Sequence, residues 1–264
     1  MRNDASPPPL FSIVTVVLDD REGLRRTRSS LRRQSFRDFA WIVVDGGSED
    51  GTRDDIVRFA PEIAWWRSGP DQGLYDAMNI GMAAATGDYL LFLNAGDELA
   101  SPDSLGRLAA EIRASASPDF LYCDALERTS GGTLLLKPAR SHRTVWYGMF
   151  THHQAMVYRR LAVADLRYDL SFTVGADYAF TISALSVNPR VVRLREPLVI
   201  FAAGGLSYVM HSVGRRDQTR IRRRYLRLSV ISCFLIMVVQ YLAMLTRRGF
   251  PVFYEIYRCR RMYE

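Results

Sequence analysis

With 264 residues, 48% of them hydrophobic, the chain is long enough to bury a sizeable core in one large domain, or in one domain with an appendage. Its three cysteines, Cys123, Cys233 and Cys259, are odd in number and far apart, which argues against a disulfide framework or a zinc spacing and makes a reducing compartment the default. The formal net charge of +7 collects after Arg215 in RR, RIRRR, RR and RCRR clusters, the pattern of a protein that meets a polyanion: nucleic acid or an anionic membrane surface.

Met1 to Pro9 is polar and proline-rich, without the apolar core of a signal peptide, and is expected to be disordered. Leu10 to Leu18 is rich in β-branched residues and reads as a buried first strand, followed by Asp19 and Asp20. Gly23 to Gln34 has a helical period. Phe39 to Val44 is a second strand, ending in the loop Asp45-Gly46-Gly47-Ser48-Glu49-Asp50-Gly51-Thr52. Strand, helix, strand and a glycine- and aspartate-rich loop begin a parallel α/β unit. No GxGxxG follows the first strand, which argues against a hydride-transfer dinucleotide enzyme. Within the loop, Ser48 or Asp50 is placed to cap a helix over Thr52 to Phe59, leaving Asp45 free to accept a hydrogen bond from a base or ribose.

Ala64 to Trp66 predicts a third short strand leading into the turn Asp71-Gln72-Gly73. Tyr75 to Ala85 predicts a helix closed by Gly87, and Tyr89 to Leu93 a strand buried on both faces. That strand ends in Asn94-Ala95-Gly96-Asp97-Glu98. Carboxylates at the carboxyl end of a buried strand lie where open α/β sheets bind ligands; equally, Asp97 and Glu98 can simply begin the next helix. Asn79 sits mid-helix, where its propensity is poor.

A helix over Ser104 to Ala114, a strand over Asp119 to Cys123 ending at Asp124, and a β-segment over Leu134 to Lys137 follow. Thr151 to Tyr158 reads as an alternating strand with His152 or His153 facing a cleft; the two histidines lack the further ligands a metal site needs. Gly175-Ala176-Asp177-Tyr178 heads a helix over Tyr178 to Leu185, and the pattern alone makes Asp177 an ordinary N-cap. Val191 to Ala202 supplies one or two strands with Glu196-Pro197 between them.

Several of these stretches carry a family resemblance. DxGLYDAMNxGxxxAxGxYLxFLNAGDxL over 71–99, VVDGGSxDGT over 43–52, HQAxxYRR over 153–160 and GGxS over 204–207 resemble family-2 glycosyltransferases of the GT-A fold, especially the bacterial subgroup that builds O-antigen and exopolysaccharide chains. The resemblance covers residues 10 to 210. It implies an α/β domain over 10–214, a mixed, mainly parallel sheet flanked by helices, that transfers a sugar from a nucleoside-diphosphate donor, UDP-linked, to a hydroxyl of a growing lipid-linked or oligosaccharide acceptor, with inversion. Asp97 matches the family's metal-binding aspartate, for Mg2+ or Mn2+, although Asn94 and Gly96 replace the commoner acidic neighbours. His211 lies just beyond the GGxS loop, within reach of metal or phosphate. Asp45 and Asp71 would hold the nucleoside with Asp19 as helper, Asn79 and Asn94 would anchor the donor loops, and His153 and Gln154 would contact donor phosphate or acceptor hydroxyls. Asp177 matches the catalytic base, and a helix amino terminus favours its charged form. The alternative is a catalytically inactive glycan-binding or assembly subunit.

Residues 215–264 form a separate tail. Ser229 to Leu245 is uncharged and close to the length of a bilayer span, with arginines at both ends. Ser229, Ser232, Cys233, Gln240, Ala243 and Arg247 share one side of this helix, with Ile236 as the apolar exception. That favours a helix lying in the membrane interface, or packed on the catalytic domain, over a span, and Phe250 to Tyr263 repeats the mix of aromatics and arginines. The expected place is the cytoplasmic face of the inner membrane, peripheral or monotopic. With the arginines beside an apolar tail and no platform of exposed aromatics, nucleic acid is not the expected partner.

Overall fold

The structure is a computed structural model that describes residues 7–202, 204, 210–249 and 260–261, without the side chains of 211, 246–249, 260 and 261. The chain forms two compact units. The first comprises the residues up to Leu121, Met156–Asp165 and Arg190–Val192; the second comprises Tyr122–Ala155, Leu166–Pro189 and the chain from Arg193 onward.

In the first unit, β1 (Phe11–Val17), β2 (Phe39–Asp45), β3 (Trp65–Ser68) and β4 (Tyr89–Phe92) are parallel, in the order β4-β1-β2-β3. β8 (Met156–Arg159) adds antiparallel to β4. β1 is buried along its whole length, as its β-branched run predicts. Its two polar residues are satisfied in place: Ser12 Oγ accepts from Gly87 N at 2.9 Å, and Thr15 Oγ1 accepts from Trp41 Nε1 at 3.0 Å. The register pairs Val17 with Asp45 and Asp45 with Ser68, so these strands end in line. Every loop leaving the parallel strands therefore departs from one sheet edge.

Helices α1 (Arg21–Arg32), α2 (Thr52–Phe59), α3 (Leu74–Ala84) and α4 (Ser104–Ala114) complete the unit, with the two-residue strand β5 (Glu98–Leu99) before α4. α3 packs on β1 and β2. Gly81 permits that approach: a Cβ there would stand 2.3 Å from Val14 Cγ1, closer than two carbons can sit. α1 and α2 are joined by Asp55, which is fully buried and pairs with Arg21 at 2.9 Å, Arg25 at 2.6 Å and Arg58 at 3.3 Å.

The second unit contains most of β6 (Phe120–Arg128), β7 (Leu134–Lys137) antiparallel to it, and β9 (Val191–Ala202) pairing with β6. A two-residue strand, β10 (Arg260–Arg261), pairs antiparallel with β7. Helices α5 (Ala176–Ser186), α6 (His211–Tyr225) and α7 (Val230–Gly249) follow in chain order. Two local expectations change, and one left open, the number of strands over Val191–Ala202, is decided. Asp124 lies inside β6, buried, where it accepts from Ala139 N at 2.8 Å and pairs with Arg193 at 3.5 Å, because the strand runs five residues further than its apolar stretch. β9 is a single strand through Glu196 and Pro197. Only Met156–Arg159 of the histidine segment is strand; His153–Ala155 is a 3-10 turn.

Position 215, where the composition shifts, falls within α6, and this helix is built into the second unit. Ile221 is fully buried and Arg222 is almost so. Arg222 donates to Trp146 O at 3.1 Å, Tyr147 O at 2.7 Å and Gln218 Oε1 at 3.2 Å, so its charge is met by oxygens of the unit's own loop. Among the described residues no helix is long and apolar enough to cross a membrane. Phe250 to Cys259 and Met262 to Tyr263 lie outside the described residues.

The Asp55 knot yields a stability prediction. Its arginine partners hold the Asp55 carboxyl at about 2, below its ordinary 3.8, with the Arg21 hydrogen bond foremost. A depressed carboxylate contributes stability that is complete above the unfolded value and is lost as pH falls through the folded one. Asp55→Asn should therefore lower stability at neutral pH by roughly 2 kcal/mol and flatten the loss between about pH 4 and pH 2. Urea unfolding across that pH range measures both effects.

Candidate functional site

The aspartates of the parallel sheet edge are organised by hydroxyl groups. Asp45, the last residue of β2, is fully buried. Its Oδ1 accepts from Ser48 N at 3.0 Å and Ser48 Oγ at 2.5 Å, and its Oδ2 accepts from Ser68 Oγ at 2.6 Å. Ser48 Oγ accepts in turn from Asp19 N at 2.8 Å, and Asp19 Oδ1 accepts from Glu49 N at 2.8 Å. The loops after β1, β2 and β3 are thus tied together. The N-cap of α2 is Gly51, without a side-chain cap bond, so neither Ser48 nor Asp50 is the cap expected from the sequence; Asp50 closes the turn before the helix, accepting from Thr52 N at 3.0 Å and Thr52 Oγ1 at 2.6 Å. Asp45 is not left free, either: Ser48 spends its hydroxyl on Asp45, so Asp45 shapes the loop from within.

Asp71 and Asp19 remain accessible at this edge. Asp71 Oδ1 accepts from Gly73 N at 2.7 Å, a local turn that opens α3. Its Oδ2 faces the β2 loop, since a Cβ on Gly46 would stand 3.0 Å from it. Asn79 is half-buried in the middle of α3, and Tyr75 is buried beneath, a core residue and not a stacking surface.

The segment after β4 is held against α1. Thr27 Oγ1 lies 2.7 Å from Asp97 O and 3.2 Å from Asn94 O as donor, and it accepts from Gly96 N at 3.1 Å. Gly96 takes φ +92°, a conformation in which a side chain is strained. This tight turn keeps Asp97 buried, and Asp97 N donates to Asn94 O at 3.0 Å. Asn94 Oδ1 is buried and accepts no hydrogen bond among the described residues. An amide oxygen so placed, beside a carboxylate, suits a hard cation such as Mg2+ or Mn2+, which typically takes one or two protein oxygens and completes its shell with substrate phosphates and water. Among the described residues there is no group of three or more His, Cys, Asp or Glu side chains able to hold a metal unaided.

In the second unit Asp177 is the second residue of α5, half-buried among buried neighbours. The N-cap is Gly175, without a side-chain cap bond, so the ordinary N-cap role does not belong to Asp177. The backbone entering α5 is fixed by Asp217 of α6, whose Oδ2 accepts from Thr173 N at 3.0 Å and Val174 N at 3.2 Å. His153 and Gln154 are buried in their 3-10 turn. Burial drives His153 down to about 3, with His152 adding to the effect, and drives His152 down to about 4. Both imidazoles are neutral at physiological pH, and His152 stacks on Phe201 with ring centroids 3.7 Å apart. His153 therefore offers no positive charge to a phosphate. His211 begins α6, but its side chain, like Gly205 to Ser207 of the GGxS loop, lies outside the described residues.

Residues 12–181 match the profile of glycosyl transferase family 2. The chain belongs to that family. A PGL/p-HBAD biosynthesis glycosyltransferase of Mycobacterium tuberculosis is a relative 37% identical over 210 residues, covering 75% of this chain and 79% of that one. Two solved structures are similar in fold. One is TarS 1-349 of S. aureus in complex with UDP-GlcNAc, with TM-score 0.64 and 18% identity, covering 86% of this chain and 70% of that one. The other is the mannosyltransferase PcManGT of Pyrobaculum calidifontis in complex with GDP-Man and Mn2+, with TM-score 0.65 and 15% identity, covering 86% of this chain and 68% of that one. The mixed α/β fold expected from the sequence agrees with this family-2 membership.

The sequence reading missed Ser68, Thr27 and Asp217. Ser48, three residues after Asp45, is a local turn signal, but Thr27 reaches Asp97 across 70 positions and Asp217 reaches Thr173 across 44. Thr27→Val keeps the shape and removes the hydroxyl. It should cost roughly 1–3 kcal/mol in chemical unfolding, because Gly96 N loses its acceptor and two carbonyls their donor in a closed turn.

Proposed function

We propose that this family-2 glycosyltransferase moves a sugar from a nucleoside-diphosphate donor, UDP-linked, to a hydroxyl of a lipid-linked or oligosaccharide acceptor during assembly of a cell-surface glycan of the O-antigen or exopolysaccharide kind. The observation that carries the reading is the placement of Asp177 in the first turn of α5, where Gly175 has the cap role and Asp217 fixes the approach. A carboxylate held this way suits a general base.

In this mechanism Asp177 takes the proton of the acceptor hydroxyl as its oxygen attacks the anomeric carbon. The new C–O bond forms on the face opposite the leaving diphosphate and the bond to the diphosphate breaks, so the configuration inverts in one step. No covalent enzyme intermediate is involved. The loops carrying Asp19 and Asp71 bind the nucleoside, and Asp45 acts by fixing their shape. Asn79 anchors these loops from α3, and Gln154 and a neutral His153 line the acceptor side. Asp97 and Asn94 Oδ1 are the groups that would hold a divalent cation, Mg2+ or Mn2+. When bound, that ion supplies charge neutralisation to the departing diphosphate. The relative named for PGL/p-HBAD biosynthesis and the neighbours solved with UDP-GlcNAc and GDP-Man support the donor class.

A second reading, an inactive glycan-binding subunit, draws on the lack, among the described residues, of three or more His, Cys, Asp or Glu side chains grouped to hold a metal and on the sequestered Asp45. Two variants decide between them. Asp177→Asn should slow transfer by roughly 10²–10⁴-fold, the usual cost of losing a general base, while nucleotide-sugar affinity stays within about twofold. Asp97→Ala should abolish metal-dependent donor turnover while leaving the fold intact. Transfer by Asp177→Asn at the unsubstituted rate removes the assigned base, and absence of turnover with every nucleotide sugar and metal tried favours the binding subunit.

A further inference from the structure

Helix α7 is inverted relative to an ordinary surface helix. Its inward side is a narrow seam: Cys233 and Ile236 are buried, and Gln240 Nε2 donates to Tyr147 O at 2.7 Å, while Ser229 and Ala243, expected on the same side, are exposed. Its large apolar side chains turn outward. Ile231 is 73% exposed and Phe234 57%, and Leu235, Val239, Leu242 and Leu245 are comparable. Between Val230 and Leu245 there are ten exposed large hydrophobic residues, against seven in all the other described residues. A contiguous apolar face on that scale marks an interaction surface.

The shape and charge of the face select its occupant. At 100° per residue the exposed apolar side chains span about 200° of the helix circumference, roughly twice the stripe that one packed neighbour covers. At 1.5 Å per residue they run for about 22 Å. No aspartate or glutamate occurs between Gln218 and Gly249, while Arg215, Arg216, Arg223 and Arg227 are exposed. An apolar sector of that width beside cations and without acids fits a fluid apolar phase bounded by anionic headgroups. We infer that α7 docks this protein on an anionic bilayer surface, lying along it, with Phe234, Leu235 and Leu242 in the acyl boundary and the arginines at the headgroups. The inward seam of Cys233, Ile236 and Gln240 stays on the protein, which a spanning helix would not allow. This goes beyond sugar transfer and does not depend on it.

The test is co-sedimentation of the full chain with phosphatidylcholine vesicles, with and without about 30% phosphatidylglycerol. The protein should partition onto the anionic vesicles and be released in part at about 0.5 M salt. Phe234→Gln combined with Leu242→Gln replaces two exposed side chains and should weaken partitioning by at least about tenfold without changing the unfolding midpoint. Arg223→Gln combined with Arg227→Gln should narrow the difference between anionic and neutral vesicles. A wild-type protein that stays in the supernatant overturns the inference, as does partitioning that neither pair of substitutions changes. So does a dimer in lipid-free buffer that Phe234→Gln with Leu242→Gln dissolves, since a second copy would then be the occupant.

Discussion

A buried carboxylate that has no ion pair among the described residues sets the geometry of the parallel sheet edge. Asp45 meets one backbone N–H and two hydroxyls, and through Ser48 and Ser68 it ties the ends of β1, β2 and β3 together. The network is worth having only when complete, because a buried carboxylate short of partners costs several kcal/mol. Its members therefore constrain one another: the two serines must reach Asp45, and the loops that carry Asp19 and Asp71 can take few other paths. The accessible aspartates of the edge inherit their positions from a residue that is itself fully buried.

The two units settle their other buried charges in different ways. Asp55 is surrounded by three partly exposed arginines, which suits a joint between two surface helices where water still screens the cations. Arg222 is surrounded by carbonyl and amide oxygens, and Asp217 by two backbone N–H groups and Arg220. In the second unit the backbone itself supplies most of the compensation. Those contacts fix the loop at Trp146 and Tyr147 and the entry to α5, so α6 serves as a strut beneath Asp177.

Much of the fold was legible locally. The helices over Thr52–Phe59 and Ser104–Ala114 and the strand over Leu134–Lys137 follow from local pattern, and the other parallel elements are offset by a few residues. What escaped was decided by distant partners. The apparent freedom of Asp45 disappears because Ser68 comes from a different strand. The arginine run of 220–224 reads as part of a cluster that meets a polyanion, yet Arg222 points inward to carbonyls almost eighty positions away. The inward side of α7 was only partly visible: Cys233 and Gln240 face the unit as their spacing predicts, Ile236 is buried with them, and Ser229 and Ala243 of the same predicted side are exposed. At the sheet edge the acidic residues were legible, and the hydroxyls that position them mostly were not.

The order in which the chain is made bears on how the first unit closes. Its β8 lies after a long excursion into the second unit, so β4 emerges from the ribosome well before its antiparallel neighbour. At ordinary elongation speeds of about 5–20 residues per second, the stretch between Phe92 and Met156 takes roughly 3–13 seconds to add. For that interval one side of β4, among the most apolar strands in the molecule, has a row of unpaired backbone groups. The nascent chain is then most exposed to chaperones, and to other copies of itself, at the strand that leads to Asp97.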